Sequence, residues 1–199
     1  MRTKIFAAAL IASTAIAAPA FAQDATFTGP RAEAVVGWDR VTDDSFNTDN
    51  SRDGVVYGGQ VGYDFQRGNA VFGVEGEITG ASTKDTARGV LVAGDELRTK
   101  AGRDLYAGAR LGFLVSPTAM VYAKGGYTNA QFETRYTAAG TDITERDNVD
   151  GWRLGAGAEV KLNDKVYLKG EYRYSKYDNE DAGVDAKRHQ VIGGVGIRF

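Results

Sequence analysis

From Trp152 to Tyr174 the side chains sort into two chemically opposed rows. One holds Trp152, Leu154, Ala156, Ala158, Val160 and Leu162, continued after a turn at Asn163-Asp164 by Val166, Leu168, Gly170, Tyr172 and Tyr174. The other holds Arg153, Gly155, Gly157, Glu159 and Lys161, then Tyr167, Lys169, Glu171 and Arg173. Successive strand side chains point to opposite faces, so this stretch reads as a hairpin with one apolar and one charged face. Six further segments alternate in the same way: 31–39, 55–65, 72–79, 104–113, 121–128 and 187–199. The pattern predicts eight strands.

Connection lengths alternate too. Segments 40–53, 80–102, 131–150 and 175–186 are long and polar, whereas Gln66-Arg67-Gly68-Asn69, Ser116-Pro117-Thr118 and Asn163-Asp164 are tight turns. Short turns at one end and long loops at the other are the pattern of a barrel in the outer membrane, with the short ones periplasmic. The aromatics follow the same division. With the first strand running outward, Trp38, Tyr57, Tyr127, Trp152, Tyr172 and Tyr174 fall near the extracellular ends, and Tyr63, Phe65, Phe72 and Phe113 near the periplasmic ends. Two aromatic girdles around an aliphatic band suit a bilayer. The expected fold is therefore all-β, an eight-stranded antiparallel transmembrane up-and-down β-barrel with its apolar row toward lipid. Sliding strand six by one residue would turn Arg153, Glu159 and Lys161 outward, and a midplane Arg or Lys there costs about 2–4 kcal/mol.

The opposite row then faces the lumen, which in an eight-stranded barrel is just wide enough for side chains to fill. Glu75, Glu77, Arg110, Lys124, Arg153, Glu159, Lys161, Lys169, Glu171, Arg173, Arg188 and Arg198 are expected to form a buried network of opposite charges. The alternative is a narrow, porin-like path for small solutes or ions between such pairs.

Export is written at the start of the chain. Arg2 and Lys4 precede an apolar run from Ile5 to Ala17, and Ala20-Phe21-Ala22 supplies small residues before Gln23. Residues 1–22 read as a cleaved signal peptide too short to span a bilayer, and 23–199 as one barrel domain. The chain has no Cys, so neither disulfides nor thiolate metal sites hold the fold. A net charge of −2 gives no electrostatic case for nucleic acid.

Catalysis has little footing. His189 is the only histidine, which leaves no pair for a His-based relay or a multi-histidine metal site, and no Ser lies beside it in sequence. It belongs to the outward row near the rim. The reading is therefore of a non-enzyme without cofactor or metal. Gly58-Gly59, Gly125-Gly126 and Gly193-Gly194 lie in strands and relieve crowding in a tightly curved barrel, not phosphate loops. Asp43-Asp44, Asp147–Asp150 and Asp178–Asp181 are loop charges, and the apolar patch Val90-Leu91-Val92-Ala93 is expected to extend a hairpin above the membrane.

Asp150-Gly151-Trp152 through Gly155-Ala156-Gly157, then Gly170-Glu171-Tyr172-Arg173-Tyr174, resembles the penultimate hairpin of the small outer-membrane barrel family. That family includes opacity-like surface antigens and the porin-family proteins of alphaproteobacteria. Gly108-Ala109-Arg110-Leu111-Gly112 resembles its fourth strand, and His189 through Phe199 its closing strand. The resemblance implies an integral outer-membrane protein, monomeric, surrounded by outer-membrane lipids and lipopolysaccharide. It also implies that Phe199 helps present the last strand to the barrel-assembly machinery. Its members have structural, adhesive or immune-evading roles at the cell surface, and those differences reside in the long loops.

Overall fold

The computed structural model describes residues 27–43, 50–82, 84–88, 96–138, 141–179 and 184–199; residues 1–22, read as a signal peptide, lie outside them. The described strands are β1 Gly29–Asp43, β2 Asn50–Arg67, β3 Ala70–Ala81, β4 Lys84–Arg88, β5 Glu96–Ser116, β6 Ala119–Ala138, β7 Thr141–Lys161, β8 Val166–Asn179 and β9 Val184–Arg198. Every pairing is antiparallel between sequence neighbours, except that β9 returns to β1 and β3 skips the short β4 to pair with β5. Eight strands thus close on themselves, which leaves no open edge in the barrel wall. The β4 strand is an extra piece attached to β5 alone.

The predicted faces are the observed ones. Along β3, Phe72, Val74 and Ile78 are exposed while Glu75, Glu77 and Thr79 are buried. Inverted burial of this kind, apolar outside and charged inside, needs a surround of lipid. The tight turns also form where expected. Gly68 adopts a φ of 59°, and the Asn163 carboxamide accepts from the Lys165 and Val166 amides at 2.9 and 2.8 Å.

The long connections are shorter than the sequence pattern suggests. The segment read as loop 131–150 is largely strand, since β6 runs to Ala138 and β7 starts at Thr141. In the same way β1 and β2 enter 40–53, β4 and β5 enter 80–102, and β8 and β9 enter 175–186. Above the lipid a strand needs its ladder but no apolar face, so alternation stops before the hydrogen bonds do. Asp147–Asp150 accordingly belongs to β7 and not to a loop. The patch 90–93 lies outside the described residues, but β4 and β5 pair on either side of it from Lys84↔Lys100 to Arg88↔Glu96, which bears out the hairpin.

These extensions split the rim. β7 meets β8 only from Gly151↔Tyr177 downward, so residues 141–150 of β7 are paired with β6 alone. Across the barrel, pairing of β2 with β3 stops at Val56↔Ala81.

Candidate functional site

The lumen holds most of the chemistry of the described residues. Its buried cations are Arg31, Arg110, Lys124, Arg153, Lys169, Arg173, Arg188 and Arg198; its buried carboxylates are Glu33, Asp39, Asp64, Glu75, Glu77, Asp104, Glu159 and Glu171. Eight charges of each sign therefore face one another, a balance that suits a medium where an unpaired charge is expensive.

At the turn end, Asp64 is held by Arg110 Nε at 2.9 Å and by Arg198 NH2 at 2.7 Å. Arg198 reaches Glu159 with its other arm at 2.8 Å, and Arg110 meets the same carboxylate at 3.2 Å. One level up, Arg31 bonds Glu33 and Glu75, and Lys169 joins Glu33 while donating to Gln60 at 2.8 Å. Lys124 sits between Glu75 at 2.6 Å and Glu171 at 3.1 Å. Toward the rim, Arg153 spans Glu77 at 3.0 Å and Asp104 at 2.5 Å, and Arg188 links Asp104 at 2.7 Å to Asp39 at 2.6 Å. Tyrosines complete the network: Tyr122 donates to Glu171 at 2.6 Å, Tyr167 to Glu33 at 2.7 Å and Tyr177 to Asp104 at 2.9 Å.

Eleven of the twelve charged residues predicted for the interior are buried there; Lys161 is half-buried at the turn end, its ammonium 5.6 Å from the Phe27 ring. Sequence reasoning placed Arg31, Glu33, Asp39, Asp64 and Asp104 on the inward row without assigning them to the network. Counting charge along that row would have found them, because the twelve alone carry too many cations. Inward glycines make room for the tyrosine rings. A Cβ on Gly196, which pairs with Tyr167, would lie 2.2 Å from that ring.

Phe27 gave no sequence signal, since it precedes the alternating region. Its side chain is fully buried in the turn-end mouth, clustered with Val71, Leu114, Met120 and Tyr122, with the Arg198 guanidinium 5.1 Å from its ring. The Phe27 amide donates to the Gln66 side chain at 2.9 Å, and the Gln66 amide donates to the Thr28 hydroxyl at 3.0 Å. The chain turns inward at Gly29, whose φ of 126° and whose absent Cβ, 2.4 Å from the Phe199 carbonyl oxygen, admit only glycine.

On the outside, Trp38, Tyr57, Tyr63, Phe65, Phe72, Phe113, Tyr127, Trp152 and Tyr172 are all exposed. Tyr174 is half-buried between Trp152, 5.4 Å away, and His189, 5.1 Å away. His189 faces outward as expected, its Nδ1 2.7 Å from the Tyr172 hydroxyl. Beyond Trp38, Arg40 holds Asp53 through two contacts at 2.8 and 3.1 Å, and that hydrogen bonding keeps the exposed Asp53 carboxyl below its ordinary range. Phe199 is exposed, and its amide donates to the Pro30 carbonyl at 2.9 Å.

Comparison with known proteins agrees with this geometry. The family described as outer membrane protein beta-barrel domain matches residues 8–199. The 25 kDa outer-membrane immunogenic protein of Brucella canis is 30 % identical over 149 residues, covering 71 % of this chain and 64 % of its own length. The chain thus spans less than two thirds of that relative. The 31 kDa outer-membrane immunogenic protein of Brucella melitensis biotype 1 is 31 % identical over 169 residues, covering 78 % of this chain and 70 % of its own. Among solved structures, Neisserial surface protein A superposes with a TM-score of 0.58 at 15 % identity, over 86 % of this chain and 98 % of that one, a likeness of fold. A closed barrel with its charges inside and its aromatics outside, matched along nearly its whole length by one family, makes this chain a member of the outer-membrane protein β-barrel family and an integral protein of the outer membrane.

Proposed function

We propose that the protein is a non-conducting, non-enzymatic barrel with a structural and surface-contact role, acting through the strands that rise above its extracellular rim. The single observation that carries this reading is the lumen, where balanced charges and the Phe27 cluster occupy the space a pore would need. With the interior occupied, the rim extensions of β4 to β7 are the parts free to meet the surroundings. The relatives named as immunogenic outer-membrane proteins support a cell-surface role, as does the resemblance to opacity-like antigens.

The partners follow from the same reading. The aromatic girdles anchor the barrel in the headgroup layers of outer-membrane lipid and lipopolysaccharide. Phe199, at the end of the closing strand, takes part in delivery by the barrel-assembly machinery, so Phe199→Ala lowers the fraction inserted into the outer membrane. Deleting residues 132–147 while keeping the barrel tests the main claim. Loss of cell or envelope contacts with normal insertion is expected; retention of every contact contradicts a role for the rim. Unchanged lipid A by mass spectrometry, with and without the protein, is expected of a non-enzyme.

A further inference from the structure

We propose that the open edge of β7 above the membrane is a docking site for an extended, basic peptide segment of a partner protein, added as an extra strand. This deepens the surface-contact reading and rests on it.

The backbone register identifies the edge. Pairing of β6 with β7 runs unbroken from Ala119↔Val160 to Ala138↔Thr141. At its lower end the Lys161 amide donates to Thr118 beside β6, whereas the next amide, that of Leu162, donates to Val166 on the β8 side. In an antiparallel strand the amide and carbonyl of one residue point to the same neighbour, and successive residues alternate. Odd-numbered residues of β7 therefore bond to β6, and even-numbered ones face β8. Below Gly151 those groups meet β8. Above it, Asp142, Thr144, Arg146 and Asn148 direct their backbone amides and carbonyls to a side where no described strand pairs with them. Such a row of backbone groups is a template for strand addition.

The composition of the edge selects the occupant. Thr141–Asp150 carries Asp142, Glu145, Asp147 and Asp150 against the single cation Arg146. A segment with Lys or Arg at intervals gains from this field while an acidic one is repelled. A second copy is a poorer occupant of the same edge. Two upright barrels related by a two-fold axis along the membrane normal would set β7 beside β7 in parallel, with acidic segments opposed.

The test uses the purified full chain in nanodiscs of zwitterionic lipid and a fluorescent peptide of five Lys-Thr repeats, read by anisotropy. Two companion peptides are needed: one of Glu-Thr repeats, and a Lys-Thr peptide N-methylated at alternate amides, which keeps its charge but loses one hydrogen-bonding edge. Asn148→Pro and Thr144→Pro remove edge amides that β6 does not use, a change that edge strands tolerate; circular dichroism verifies that the barrel remains folded. Saturable binding of the Lys-Thr peptide is expected, weakened about tenfold or more by either Pro substitution and by N-methylation. Equal binding to the Pro variants or of the N-methylated peptide overturns strand addition in favour of plain charge attraction. Binding of the Glu-Thr peptide, no binding at all, or self-association of the barrel that Asn148→Pro abolishes, overturns the proposed occupant. Each of these failures leaves the sealed lumen and the wider surface role standing.

Discussion

Arg173 grips Glu77 across the lumen with both ends of its guanidinium, NH1 to Oε1 at 2.6 Å and NH2 to Oε2 at 2.5 Å, although the two residues lie 96 positions apart in the chain. The fork geometry ties β8 to β3, strands that are not neighbours in the wall. Arg153 reaches the same carboxylate from β7 at 3.0 Å, so one acid organises two cations in a space closed to water.

Removing that acid should therefore cost more than removing a surface partner. Glu77→Leu leaves Arg173 and Arg153 short of a counter-charge and is expected to destabilise the barrel by about 3–5 kcal/mol. Urea unfolding in lipid vesicles reads the loss. The double substitution Glu77→Leu with Arg173→Met is expected to recover part of it, because Arg153 retains Asp104.

Phe27 should matter as much as a core residue despite standing outside the strand pattern. Phe27→Ala empties a fully buried site and is expected to cost about 3–5 kcal/mol in the same assay. Gly29→Ala should also destabilise, since its Cβ would collide with the Phe199 carbonyl and its φ of 126° suits glycine alone.

The lipid-facing row predicts a depth dependence. Ala156 lies midway between Trp152 and Leu162 on the outward face of β7, and Ala156→Arg is expected to cost about 2–4 kcal/mol. Val55, beside Trp38 near the rim, should accept Arg at about 0–1 kcal/mol. Equal costs at the two depths would contradict the placement of the bilayer.

Arg40 and Asp53 offer a pH-dependent contact outside the membrane. Hydrogen bonding by Arg40 lowers the Asp53 pKa, so the contact is complete above the ordinary carboxylate range and is lost as pH falls through the lowered value. A carboxyl-carbon NMR titration is expected to place Asp53 below about 3.9, and Arg40→Gln to return it there.

The membrane-spanning part was legible because lipid imposes a strict rule on one face. Val74, Leu111 and Val195 must be apolar, so alternation reveals both strand and orientation. Above the rim that rule lapses. Gln131-Phe132-Glu133-Thr134-Arg135 has no consistent apolar face, yet it continues the β6 ladder. The interior was legible by sign but not by pairing: Arg31 and Asp64 meet at 3.2 Å through the closure of the barrel, which no local spacing encodes. Phe27 was illegible because a single aromatic before a strand carries no period.

Single-channel recording in planar bilayers tests the central claim, that paired charges fill the lumen and leave the work of the protein to its outer surface. The purified wild-type barrel is expected to show no steady conductance across the range of applied voltage. Stable openings of nanosiemens size would contradict the sealed interior and identify the protein as a pore.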